Sequence, residues 1–147
     1  METVEVVLSE YGADLSRFPD EKHFVSHATL APHVPKSGGK PVKKKKRNSA
    51  STRVAGALRM AALALRHSDT ALGAYYRHTA QRIGADVAVF ASARKIATLI
   101  YRLLRWGQPY VDEGAKACEE RYHQQHIKSL IYKAKRAGFQ MTPITAS

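Results

Sequence analysis

Ser37 stands in a Lys36-Ser37-Gly38-Gly39-Lys40 segment, and Lys43, Lys44, Lys45, Lys46 and Arg47 follow within seven residues. A dense cationic run beside a flexible Gly-Gly turn is a place for a polyanion to dock, and it holds a serine hydroxyl where a docked phosphate could be reached. A hydroxyl is a weak nucleophile until its proton is removed and the charge growing on the phosphate is stabilised. Lys36, Lys40 and the run behind them offer the second service. The first has no evident local supplier, because no carboxylate lies between Glu21 and Asp69. Taken by itself a Ser-Gly-Gly is a turn serine, and a lysine run is a solvated loop or, in a eukaryotic protein, a nuclear localisation signal. Buried unpaired lysines would each cost several kcal/mol, so the run is exposed and faces a partner.

The charge of the whole chain agrees with that partner being nucleic acid. The net charge is +12 over 147 residues. Residues 1–30 carry two basic and six acidic side chains, and the remaining residues carry twenty-two basic and six acidic. Phosphate neutralisation with counterion release rewards such a surface. An anionic membrane is the competing partner. The sequence shows no apolar run near twenty residues and no signal-peptide pattern, which favours a soluble cytoplasmic protein. The single cysteine, Cys118, excludes an internal disulfide and a cysteine-rich zinc site. His23 and His27 stand at i,i+4 and read as a solvated helix face, so no metal site is expected.

The elements that must position these groups are helices. Glu2–Tyr11 suits a short helix ended by Gly12, although its Thr3, Val4, Val6 and Val7 would equally suit a strand. A second helix is expected from Asp20 to about Leu30, with Pro32 stopping it. Residues 33–50 form a cationic loop, or a loose hairpin turning at Gly38-Gly39. Ser51 is expected to cap a helix over Thr52–Arg66, with Val54, Leu58, Ala61 and Leu65 as its buried stripe and Gly56 admitting a close neighbour. Asp69 is expected to cap the next helix, to about Arg82, with Tyr75 and Tyr76 exposed. The clearest helix spans Ala85–Trp106. Val89, Ala93, Ile96, Ile100, Leu103 and Leu104 form its core face, and Arg94, Thr98, Arg102 and Arg105 a separate stripe. The three arginines read as nucleic-acid contacts, beside the plain alternative of a wet helix face. A last helix, about Asp112–Ala137, has an apolar side of Ile127, Leu130, Ile131 and Ala134. Tyr75, Tyr76 and Trp106 read as core or interface aromatics, and Cys118 as a packed small residue. The fold class is all-α: a basic helical domain of four main helices, with short N-terminal helices and one cationic loop.

Four stretches carry a resemblance, in order: DLSRFPDEKHFVSHATLAPHVPKSGGK (Asp14–Lys40), ALRMAALALRHSDTALGAYYRH (Ala57–His78), ARKIATLIYRLLRWGQPYVDEG (Ala93–Gly114), and the tail from Tyr122 to Ile144. Together they resemble the C-terminal domain of DEDD-type insertion-sequence transposases of the IS-one-ten type, a family that includes bridge-RNA-guided recombinases. The resemblance implies DNA transposition, with Ser37 at the position of the family's serine nucleophile and Lys36, Gly38, Gly39, Lys40 and Lys43–Arg47 around the DNA. It implies a bacterial or archaeal protein whose partners are DNA, a guide (bridge) RNA, and a second copy or an RNase-H-like domain in trans. That RNase-H-like domain would bear four carboxylates and Mg2+, leaving no cofactor in this chain. Residues 1–32 would then be a remnant of a helix-hairpin-helix region with the following helix, 33–50 the Ser-Gly-Gly loop, 51–138 the helical transposase domain and 139–147 a tail. On this reading the chain is a fragment, inactive in strand transfer by itself. Two departures stand out: Thr29 replaces a glycine of the family pattern, and Lys43–Arg47 is more purely lysine. A non-catalytic nucleic-acid-binding helical protein, and a ribosome-associated or RNA-binding protein, are the alternatives. An upstream reading frame for a DEDD domain would separate them from the first reading.

Overall fold

The computed structural model describes residues 2–28, 30, 36–37, 40–41 and 49–144. Over these the chain forms α1 (Glu2–Tyr11), α2 (Glu21–His27), β1 (Lys36–Ser37), β2 (Lys40–Pro41), α3 (Ser49–Ala64), α4 (Ala71–Ile83), α5 (Ala85–Trp106) and α6 (Ala115–Arg136). The protein is all-α apart from the two-residue antiparallel ladder of β1 and β2. The ambiguous first segment is a helix, and Gly12 at φ +77° ends it. A left-handed residue is what a helix C-terminus asks for, and glycine adopts it without a Cβ penalty.

One apolar core runs through the first half of the chain and α5. It is built from Val7 and Tyr11 of α1, Leu15 and Phe18 of the connection, Phe24, Val25, Ala28 and Leu30, then Val54, Ala55, Leu58 and Ala62 of α3 and Ala93, Ala97, Ile100 and Tyr101 of α5. Its centre is aromatic. Tyr11, Phe18 and Phe24 meet edge to face at 5.3–5.9 Å, the arrangement that ring quadrupoles favour. The buried Tyr101 donates its hydroxyl to the Phe18 carbonyl at 2.8 Å, which satisfies an otherwise costly polar group. The Glu10 carboxylate also meets Arg53 at 2.6 Å, tying α1 to α3.

Several boundaries differ from the sequence expectation, each for a local reason. Helix α2 is shorter than Asp20–Leu30. Asp20 is its cap, accepting from the His23 N–H at 2.8 Å, and the Leu30 N–H bonds the Val25 carbonyl, which turns Leu30 into the core. Helix α3 begins at Ser49, so Ser51 lies inside it and is no cap. Its end tightens into a 3-10 turn over Leu65–His67, and Ala61 and Leu65 are only half-buried. Thr70, not Asp69, caps α4, its Oγ1 accepting from the Gly73 N–H at 3.1 Å. Tyr76 is buried and Tyr75 half-buried, where both were expected to be exposed. A Cβ at Gly56 would meet nothing within 4 Å, so no close approach occurs there; at Gly73 it would lie 2.1 Å from the Ser68 carbonyl oxygen. Helix α5 has the expected bounds, with Gly107 in left-handed conformation behind it. Leu103, however, is 51% exposed, and Tyr101 takes the core position.

Helix α6 starts at Ala115, not Asp112. The Asp112 carboxylate instead accepts from the Ala71 N–H at 2.8 Å and the Gly114 N–H at 3.2 Å, while the Ala115 N–H bonds the Asp69 carbonyl. The start of α4 is thereby clasped to the start of α6, and the two helices run parallel. Arg77 meets Glu119 at 3.2 Å, and His78 stacks flat on Tyr122 at 3.9 Å. Cys118 is buried in this seam, as expected, and burial raises the Tyr122 phenol above its ordinary range, with Cys118 adding to the shift. The partner helix α4 is nine residues shorter than α6. Ile127, Leu130 and Ile131, expected to pack, are each more than a third exposed.

Candidate nucleic-acid interface

The ladder of β1 and β2 is the local frame of the candidate serine. Its register pairs Lys36 with Pro41 and Ser37 with Lys40. The antiparallel pairing that the expected hairpin requires is therefore present, and it sets Lys40 opposite Ser37 on the neighbouring strand. Pro41 is tolerated because a two-stranded ladder leaves every strand an edge. Gly38, Gly39, Thr29 and the run Lys43, Lys44, Lys45, Lys46 and Arg47 lie outside the described residues.

The arginine stripe on α5 divides on inspection. Arg94 and Arg105 are exposed, about 16 Å apart along the helix at 1.5 Å per residue. Arg102 is engaged. Its Nε and one terminal nitrogen donate to the two Glu21 oxygens at 2.6 and 2.9 Å. A bidentate guanidinium–carboxylate pair fixes both side chains and neutralises both charges. Lys95 is likewise committed, its ammonium lying 4.1 Å from the centroid of the Tyr75 ring. Thr98 donates its hydroxyl back along its own helix to the Arg94 carbonyl at 3.1 Å. The stripe thus offers exposed guanidinium groups at its two ends, neither in an ion pair at contact distance among the described residues, and a paired one between them.

A feature that spacing did not reveal lies beside that pair. Asp20, Glu21, Lys22, Arg102, Trp106 and Gln108 line a concavity of about 480 Å³. Trp106 is 50% exposed and braced by the buried Tyr101 in a perpendicular contact at 5.4 Å. Glu21 and Arg102 are 81 residues apart, and the only sequence signal for their meeting was the acidic excess of the first thirty residues against a basic remainder.

Three carboxylates, two of them in this concavity and one in the α4–α6 clasp, are held ionised. Hydrogen bonds from Arg102 keep the Glu21 carboxyl below its usual range, and backbone N–H groups do the same for Asp20 and Asp112. A carboxylate whose folded pKa is depressed contributes stability above its unfolded pKa, roughly 4, and loses it as pH falls through the folded value. The unfolding midpoint is therefore expected to hold from pH 7 down to about 5 as far as these groups decide it, then to fall with acid. Glu21→Gln should flatten part of that acid limb, measured by thermal unfolding followed by circular dichroism at each pH. An acid limb identical to wild type would show that the Glu21–Arg102 pair contributes no stability.

The magnesium implied by the resemblance was tested against the donor set. Among the described residues no three His, Cys, Asp or Glu side chains stand together as a metal site. His23 bonds Asp20 and His27 faces the Tyr11 hydroxyl. No described helix is long and apolar enough to cross a membrane.

The sequence model of the family described as Transposase IS116/IS110/IS902 family matches residues 2–77. No curated protein and no solved structure matches the chain.

Proposed function

Because this chain belongs to the IS116/IS110/IS902 transposase family, we propose that it is the part of a DNA transposase, or site-specific recombinase, that grips DNA and carries the serine nucleophile. Membership gives it a role in transposition; the binding of DNA and the part of Ser37 are our reading. The observation that carries it is the ladder itself. The family match runs through it, and its register sets Lys40 opposite Ser37, with five more cations following by residue 47. Lys36, Lys40 and Lys43–Arg47 are the phosphate contacts on this reading, with Gly38 and Gly39 letting the backbone come close. Arg94 and Arg105 extend the contact along α5. The carboxylates and magnesium of the reaction belong to an RNase-H-like domain. A bridge RNA and a second copy complete the assembly, which works in the cytoplasm where the DNA is.

Salt dependence of binding tests the DNA-gripping half of this reading. Each neutralised phosphate contributes roughly 0.9 to the slope of log K against log salt on duplex DNA. Replacing Lys43–Arg47 by glutamine is expected to flatten that slope by up to about four units, read by fluorescence anisotropy of a labelled duplex between 50 and 300 mM salt, roughly the range in which such slopes are resolved. An unchanged slope would place the binding surface elsewhere.

A further inference from the structure

We propose that the concavity at the C-terminal end of α5 holds one unstacked nucleobase, lying on the Trp106 indole with its edge read by the Gln108 amide and the Asp20 carboxylate. The site rests on the DNA-binding reading and deepens it, because none of its aromatic or amide groups serves the phosphate grip. Its charge argues against a phosphate. Asp20 and Glu21 balance Lys22 and Arg102 among the lining residues, and Arg102 is already bidentate to Glu21. A dianion entering here would find no surplus positive charge.

A flat, neutral ring with polar edges finds what it needs. Trp106 is half open, and its contact with Tyr101 holds it in place. Tyr101 is itself anchored in the core by its bond to Phe18, so the plate rests on a fixed support. Preorganisation of this kind lowers the ordering cost of binding. A glutamine amide can pair with the two-atom edge of adenine, and carboxylates accept from base amino groups. A base inside a duplex keeps its faces stacked, so the ligand is a single-stranded or extruded nucleotide.

Trp106 is the only tryptophan in the chain, so its emission reports on this site alone. A labelled single-stranded oligodeoxyadenylate is expected to quench that emission as it binds, and an abasic strand of equal length to bind without quenching. Base stacking on an aromatic side chain carries about 5- to 150-fold in affinity. Trp106→Ala should lose that factor by anisotropy, and Trp106→Phe should keep most of it. A ribo-oligonucleotide of the same sequence identifies the source: stronger quenching by the deoxy strand assigns the site to DNA, and by the ribo strand to RNA. Equal quenching by the abasic strand, tight binding without quenching, or wild-type affinity in Trp106→Ala would each overturn the base site alone. No anisotropy change with any strand would instead sink the DNA-binding reading, and the site with it.

Discussion

With an RNase-H-like domain of the family supplied in trans, the wild-type chain is expected to become covalently joined to DNA, and Ser37→Ala is not. In that step the Ser37 Oγ forms a bond to phosphorus while the bond from phosphorus to the 3′ oxygen breaks. The proton lost by the serine is balanced by the one the leaving oxygen gains, so the products are a phosphoserine linkage and a free 3′ hydroxyl. A hydroxyl this weak needs a base, and no carboxylate stands near Ser37 in sequence, so the chain alone should bind DNA without joining it. Lys40, opposite Ser37 in the ladder, is the candidate to stabilise the charged transition state. Removing one such group typically costs about 100- to 1,000-fold in rate, so Lys40→Ala should slow adduct formation by that order while leaving the linkage at Ser37. The readout is a labelled strand that stays with the protein through denaturing electrophoresis. An adduct formed by Ser37→Ala refutes the nucleophile. Strand joining by the isolated chain refutes the need for a partner domain. With no adduct from either protein, the non-catalytic nucleic-acid-binding reading takes precedence.

Phe24→Ala is expected to be the most damaging single change to the fold. The Phe24 ring is fully buried and contacts Tyr11, Phe18 and Tyr101 at 5.3–5.7 Å, so it joins α1, the following connection and α5. Deleting such a ring costs about 3–5 kcal/mol from lost transfer energy and the cavity left behind. For a domain of this size that is roughly a 10–15 °C fall in midpoint. Met60→Ala is the control. Its side chain is largely exposed, and a change of about 0.5 kcal/mol or less is expected. Comparable losses in the two variants would mean that the aromatic centre is not where the stability resides.

Punctuation made some elements legible, and long-range partners hid others. Gly84 and Gly107 bracket α5, and its bounds could be read from them together with the apolar spacing between. Ser37-Gly38-Gly39 announced a hairpin, and the ladder is there. Asp112 misled because a carboxylate before an apolar run normally caps the run that follows it. Here it caps α4, whose start lies 41 residues earlier, and α6 begins three residues late. The stripe Ile127, Leu130 and Ile131 has helical spacing, and spacing says only that a face is apolar; it does not say whether a neighbour reaches that far. Arg102 looked like a free cation for the same reason. Its neutralising partner comes from the acidic segment at the other end of the chain, so the candidate site loses a charge that a local reading had assigned to it. The Trp106 concavity needed both that pairing and the brace from Tyr101, neither of which leaves a local pattern.

The clasp at Asp112 also bears on how the molecule comes apart. Helix α6 is held through the Asp112 carboxylate and the Asp69 carbonyl at its start and one face of its first three turns, and none of its residues belongs to the aromatic core. Local openings follow such seams, and elements with few buried contacts open at lower free energy than the whole. Helix α6 is therefore expected to open as a cooperative unit of its own, lifting from α4 while α1, α2, α3 and α5 stay assembled. Its outer half, with Ile127, Leu130 and Ile131 each more than a third exposed, would be the free end of that opening, and the Asp112 clasp the place where it hinges.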